Sequence, residues 1–316
     1  MKKMLFGIAA AALVGATGLM ADEAAAPAAS EQKVLIPTIE FNSDALVPEV
    51  NINLQYASAY MSDGKILNPE SMLFGDLTLS WNVTANSGVY AGIWIANDWN
   101  DYNEGEKGDG VGGVQYEPEE LDYYVGAWYT LSDLDVIKSL TFDLSYTYWD
   151  MPKRTGWNAP GNTKMKLTLD VKTGEFKFCD DKLGITPGIK FNNDFENEEW
   201  QIVPYVKGGF AVTEKLSINS SLELFWENAK WFMGDCQHRN DDWAIDSDKN
   251  GLSTLVWSVD ASFAITENVS FGPFAKLAWC LDHDYREAWK DDRLMGKENM
   301  KSGCNTLWGV QLNVAF

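Results

Sequence analysis

The end of the chain alternates strictly. Thr306, Trp308, Val310, Leu312, Val314 and Phe316 fall on one side of an extended strand, and Leu307, Gly309, Gln311, Asn313 and Ala315 fall on the other. Successive side chains of a strand point to opposite faces, so this segment has an apolar, aromatic face backed by a mostly small or polar one. The same period recurs upstream. Leu216, Ile218, Leu222, Leu224 and Trp226 alternate with Ser217, Asn219, Ser221, Glu223 and Glu227. Leu255, Trp257, Val259 and Phe263 alternate with Ser258, Asp260 and Ser262.

Read this way, the sequence predicts about 12 strands, near residues 50–61, 72–84, 89–98, 121–130, 140–150, 164–173, 185–193, 201–213, 216–227, 255–265, 269–279 and 306–316. Residues 173–178 fit neither face and read as a bulged extension of their strand. The connections alternate too. Those at 85–88, 132–139, 179–184, 213–215 and 266–268 are short. Those at 62–71, 99–119, 151–163, 194–199, 228–253 and 283–305 are mostly longer and rich in Asp, Asn, Gly and Lys. A soluble sandwich buries its apolar faces and has no such alternation of connections. The expectation is an all-β fold, a transmembrane antiparallel up-and-down β-barrel of about 12 strands spanning residues 49–316, with short turns on one side of the membrane and long loops on the other.

The N-terminus fits export. Lys2 and Lys3 precede an apolar, Ala-rich stretch that ends at Ala21, the order of a signal peptide over residues 1–21. Residues 22–48, rich in Ala, Pro, Ser and Glu near their start, read as a disordered periplasmic linker. Loss of Lys2 and Lys3 would take the formal charge from −21 to −23. Phosphates would be repelled, which argues against a nucleic-acid partner. The rest of the chain has no apolar run long enough for a membrane helix. The 13% aromatic content, with 14 Trp, suits the interfacial girdles of a barrel.

Two stretches resemble known bacterial proteins. The terminal segment Trp308–Phe316 looks like the C-terminal strand signal of outer-membrane barrels. The resemblance implies recognition of Val310, Leu312, Val314 and Phe316 by the barrel-assembly machinery. The first half of the barrel resembles the TorF-type family of porin-like proteins. The matching stretches are 56–60 (YASAY), 64–70 (GKILNPE), 89–94 (VYAGIW), 120–124 (ELDYY) and 144–149 (LSYTYW). Members carry an aromatic-Arg-Gly element after the first strand. Here residues 61–64 read MSDG, so the Arg is missing and no role for it transfers.

The inward parity puts charges of both signs in the lumen: Asp76, Asp122, Asp143, Lys166, Asp170, Lys172, Lys190, Lys207, Glu223, Glu227, Asp260 and Lys276. One reading is a water-filled channel whose charges tune selectivity. The other is a narrow barrel plugged by ion pairs and by Tyr124, Trp128, Phe225 and Phe274. Twelve strands lie between the filled barrels of about eight and the open porins of about sixteen to eighteen. The expectation taken is a small pore for hydrophilic solutes, monomeric or a small homo-oligomer, in outer-membrane lipid. A non-conducting surface barrel that binds through its loops is the alternative.

An enzyme is not expected. The two histidines, His238 and His283, fall in predicted loops, and neither GxSxG nor HExxH occurs. No cofactor is expected. Residues 246–251 (DSDKNG) match the first half of a calcium loop, with Asp246, Asp248 and Asn250 as ligands, but the twelfth position is Trp257 rather than Glu. The four cysteines contain no CxxC pair. Cys236 and Cys304 fall in the two longest late loops and Cys280 ends the strand before the second, a placement that allows either one external disulfide among the three or free thiols, whereas Cys179 sits in a turn at the other end.

Overall fold

In a computed structural model of the chain, residues 47–68, 71–98, 120–134, 137–150, 164–195, 198–229, 231, 249–290 and 303–316 are described. The signal-peptide and linker expectations lie almost wholly outside them. The barrel expectation is borne out. The wall consists of β1 (Glu49–Ala57), β4 (Met72–Thr84), β5 (Ser87–Asp98), β6 (Glu120–Leu134), β7 (Lys138–Asp150), β8 (Lys164–Thr173), β10 (Leu183–Asp194), β11 (Glu199–Ala211), β12 (Leu216–Asn228), β13 (Asn250–Ala264), β14 (Val269–Cys280) and β15 (Cys304–Ala315). A short β9 (Phe176–Phe178) continues β8 past an irregularity at 174–175, and both pair with β10. The sheet of 13 strands therefore has 12 positions in its wall. Every neighbouring pair is antiparallel, and the ring closes where β15 pairs with β1. At that seam Val50 and Phe316 exchange backbone hydrogen bonds of 3.0 and 2.9 Å.

Closure follows from the solvent. Hydrocarbon offers backbone N–H and C=O groups no partner, so a spanning sheet must satisfy them between strands and leave no edge. The wall strands run from 9 to 15 residues, enough to cross when tilted. No helix among the described residues is long and apolar enough to do so.

The register keeps one parity around the ring. Asn53, Asp76, Trp94, Asp122 and Trp149 are successive cross-strand partners on the inner face. So are Lys190, Asp170 and Asp143. The outer face carries Leu54, Leu73, Leu77, Ile93, Val125, Val206, Ile218, Leu222, Phe263 and Val310, all exposed. A soluble protein with so continuous an apolar surface would aggregate. Aromatics band that face near both ends. Tyr123 and Tyr148 pair at 6.4 Å and Trp200 and Trp226 at 6.1 Å toward the long-loop end, while Tyr129, Phe210 and Phe263 lie toward the turns. Val310, Leu312, Val314 and Phe316 belong to this lipid-type face, and their role in assembly stays an expectation.

One expected strand is corrected. The first does not run from 50 to 61. It stops at Ala57, and β2 (Tyr60–Ser62) and β3 (Lys65–Asn68) form a separate hairpin. Residues 62–71 were expected to be an external loop, but this hairpin folds into the lumen, and Tyr60, Met61 and Lys65 are buried. A second irregularity lies in β13. Phe225 pairs with Thr254 and Trp226 with Leu252, so Ser253 is an extra residue. This bulge keeps Leu252 outward while Ser253 and Thr254 are both buried.

The parity predicts an asymmetric mutational response. Leu222→Arg puts a charge on the lipid face and is expected to cost about 2–4 kcal/mol if near the midplane. Ser221→Arg points inward and should cost far less. Urea unfolding of the two variants in lipid vesicles measures the difference, and equal losses would refute the assigned faces.

Candidate functional site

The candidate site is the inner wall and the hairpin within it. Three inward tyrosines are set by three inward glycines on neighbouring strands. Tyr124 lies over Gly92, Tyr90 over Gly126 and Tyr205 over Gly188, each so close that a Cβ on the glycine would run into the ring. Trp128 over Gly88 and Phe274 over Gly309 repeat the arrangement. A glycine inside a strand commonly marks such a close approach. The rings therefore lie along the wall instead of across the lumen. Each tyrosine hydroxyl then donates to an inward carboxylate: Tyr124 to Asp76 at 3.0 Å, Tyr90 to Asp143 at 2.6 Å and Tyr205 to Asp170 at 2.8 Å.

All 12 charged positions singled out from the sequence lie on the inner face, in the register of their cross-strand partners. Their arrangement is uneven. Asp76, Asp122 and Asp143 occupy β4, β6 and β7, whereas β8 to β14 carry all five lysines, Lys166, Lys172, Lys190, Lys207 and Lys276, together with Asp170, Glu223, Glu227 and Asp260. Lys190 pairs with Glu223 at 3.4 Å and lies over the Tyr205 ring at 5.2 Å. Lys166 lies over Trp149 at 5.5 Å and Trp231 at 5.4 Å. Asp260 accepts from Asn219 at 2.9 Å. Asp122 has a buried Oδ1 with no hydrogen-bond partner among the described residues.

Glu227 is fully buried, in a network at the long-loop end. Thr168 donates to Asn192 at 2.8 Å, Asn192 to Gln201 at 2.8 Å and Gln201 to Glu227 at 2.6 Å, while Ser253 donates to the other Glu227 oxygen. The hairpin joins this network. Asp63 accepts from Gln201 at 3.3 Å and from the Trp231 indole at 3.1 Å, and Asn305 donates to the Gly64 carbonyl at 2.8 Å. Gly64 has φ +83, and a side chain there would collide with Thr254 and Ala278. On the other flank the Tyr60 hydroxyl donates to Glu120 at 2.6 Å and its ring meets Phe74 and Trp94 at 5.6 and 5.9 Å. Met61 and Ile66 pack on Val203, Phe225, Val256, Phe274, Ala278 and Leu307. The hairpin thus bridges the lumen in its long-loop half.

Among the four aromatics expected to plug the barrel, Tyr124 and Trp128 lie against glycines, Phe274 lies against Gly309 and also packs in the obstructing cluster, and Phe225 joins that cluster. The obstruction comes from the hairpin. Sequence reasoning missed Asp63, Gly64 and Lys65 because a polar turn after a strand reads as solvated. The alternation of apolar Met61 and Ile66 about an Asp-Gly turn was the available signal.

The long-loop mouth carries a second ordered cluster. Helix α1 (His283–Lys290) starts after Asp282, whose Oδ1 accepts from the backbone N–H groups of Asp284 at 2.8 Å and Tyr285 at 3.3 Å, an N-cap. Lys249 reaches both Asp282 and Asp284 at 2.6 Å. The Tyr285 hydroxyl donates to the Glu227 carbonyl at 3.0 Å. His283, expected in a loop, opens this helix with its side chain exposed. His238 and Cys236 lie outside the described residues. So do Asp246 and Asp248, while Asn250 begins β13 and is exposed. Cys179 and Cys280 are free thiols. Of the disulfides the sequence leaves open, the one joining Cys280 to Cys304 is not formed. Cys280 points inward with Ala278 and is buried, while Cys304 shares the outward parity of Thr306 and Trp308.

No protein-family model matches this sequence, and neither does any curated protein. Several solved structures are similar in architecture. A KdgM porin aligns at 10% identity with a TM-score of 0.41, over 84% of this chain and 99% of that one. An outer-membrane channel from Pseudomonas putida aligns at 11% identity and 0.45, over 85% and 96%. LpxR from Salmonella typhimurium aligns at 10% identity and 0.45, over 85% and 100%. These likenesses concern the barrel shape, and what the lumen does must be argued from its own residues.

Two outcomes follow. Gly126→Val forces the Tyr90 ring off the wall and is expected to cost about 1–3 kcal/mol. Gly251→Ala, which meets nothing within 4 Å, is its control. Urea midpoints measure both, and a neutral Gly126→Val would refute the ring-on-glycine packing. The mouth cluster should respond to pH at both extremes. Burial opposes the charge on Asp282, but Lys249 and the two N–H groups outweigh it and hold this carboxyl below its ordinary value. Burial likewise opposes the charge on Lys249, but Asp282 and Asp284 outweigh it and hold the ammonium above its ordinary value. A lowered acid stabilises above its unfolded pKa and loses that as pH falls through its folded one; a raised base stabilises below its unfolded pKa and loses that as pH rises through its folded one. Hydrogen-exchange protection factors of α1 should hold through neutral pH and drop beyond both limits, and a flat profile would refute the linkage.

Proposed function

We propose that this chain is an outer-membrane barrel of a Gram-negative-type bacterium, exported with a cleaved signal peptide, through which small hydrophilic solutes diffuse. Its short turns face the periplasm and its long loops face outward. The reading rests on one observation above all. The inner wall bears charges of both signs, and the rings of Tyr90, Tyr124, Tyr205 and Trp128 lie against wall glycines. A barrel needing only a lipid-facing exterior gains nothing from ionised groups along its whole interior, since each costs free energy unless water or a partner stays close. In this reading the β2–β3 hairpin forms the constriction, and conduction is small. The resemblance of the first half to TorF-type porin-like proteins agrees with it.

A second reading keeps the barrel non-conducting and assigns its work to the external loops. The fit of the hairpin favours it: Lys65 is 6% exposed, Gln201 1% and Glu227 0%.

Planar-bilayer recordings separate the two. The wild type should give small, resolved steps. Replacing Met61 and Ile66 together by Ser loosens the hairpin from Val203 and Phe225 and should enlarge them. A pure, folded sample of both proteins without steps would end the channel reading and leave the loop-acting barrel.

A further inference from the structure

In the short-turn half of the lumen, away from the hairpin, lies a cavity of about 400 Å³ against β10 to β13. Water occupies about 30 Å³ per molecule in the liquid, so the space takes a solute of several heavy atoms with part of its hydration. Its lining includes Glu175, Thr186, Lys207, Asn219, Ser221 and Asp260, and Glu175 is engaged with Lys177 at 4.0 Å.

The charges here are not used up by the fold. Lys207 lies over the Tyr205 ring at 5.1 Å and has no carboxylate within 4.0 Å among the described residues. The nearest acids on the wall are engaged elsewhere: Glu223 with Lys190 at 3.4 Å, and Asp170 with the Tyr205 hydroxyl at 2.8 Å. The ammonium therefore keeps free donors toward the cavity. On the far flank, Asp260 receives one hydrogen bond among the described residues, from Asn219 to Oδ2, which leaves Oδ1 without a donor among them. Lys207 on β11 and Asp260 on β13 stand on either side of β12, two strand spacings across and two residues along, or ~12 Å at the backbone. Both side chains point inward. Between them β12 offers Asn219 and Ser221, which donate and accept.

We infer that this cavity is a binding subsite for small zwitterions of the α-amino-acid type, with the solute carboxylate on Lys207 and its ammonium on Asp260. The assignment rests on reading the lumen as a solute path and names the class of solute that would pause there. A pure anion would meet the carboxylate of Asp260, and a pure cation the ammonium of Lys207. A molecule with both charges satisfies the two ends, and charge-assisted hydrogen bonds of this kind are the stronger ones.

Saturation-transfer NMR on the folded barrel in detergent tests this with three probes of nearly equal size. L-alanine carries both charges, L-lactate only the negative one, and L-lactamide none. Alanine should show about threefold more transfer than lactamide, the scale expected of partly solvated ion pairs. Lys207→Gln and Asp260→Asn, each checked for folding by heat-modifiable migration, should bring alanine down to the lactamide level. Equal transfer to alanine and lactamide in the wild type would overturn the assignment, as would lactate exceeding alanine, or alanine unchanged in both variants. Binding is read here without flux. A barrel that holds alanine but shows no steps keeps the subsite and loses the channel, and the reverse result separates the two equally well.

Discussion

The structure depends on backbone hydrogen bonding in a solvent that offers none. A sheet crossing hydrocarbon must pair every strand on both sides, and here the pairing of β1 with β15 completes the ring. The period of two then acts on every residue at once. A side chain not on the lipid face is on the lumen face, and no third environment exists along the wall. This is why Leu222 and Ser221, neighbours in sequence, have opposite surroundings, and why apolar residues that a soluble fold would bury are the most exposed ones here.

That constraint leaves an interior that has to be managed. The wall combines inward aromatics with glycines on the adjacent strand, so that Tyr90, Tyr124 and Tyr205 lie down and hold Asp143, Asp76 and Asp170 by their hydroxyls. Each such set fixes a carboxylate with little loss of bore. In the long-loop half the solution differs. The chain turns back after β1 and inserts a hairpin whose Met61 and Ile66 build a dry cluster inside the barrel, while Asp63 and Gly64 attach its tip to Gln201, Trp231 and Asn305. The lumen thus has two regimes, packed toward the loops and open toward the turns.

Particular elements show how far the sequence could be read. The last strand was legible because its alternation runs unbroken from Thr306 to Phe316. β13 was harder, because the bulge at Ser253 inverts the parity midway, and Leu252 and Leu255 share a face despite an odd separation. The first strand was overextended to residue 61 because β2 keeps a strand-like composition after the backbone has left the wall. The twelve inward charges followed from parity alone, but their partners did not. Which of them meets a tyrosine hydroxyl, a lysine or nothing depends on cross-strand register, and register is set by pairing along the whole ring.

The sequence by itself determined the barrel, its strand count and which side chains meet lipid, since these follow from a local period of two and from connection lengths. Only the tertiary structure decided what fills the lumen. The inward hairpin, the rings seated on glycines and the carboxylates held by tyrosine hydroxyls all arise between residues far apart in the chain, brought together when the ring closes. A local pattern carries no information about such meetings, because the period that separates the two faces is indifferent to what stands across the lumen.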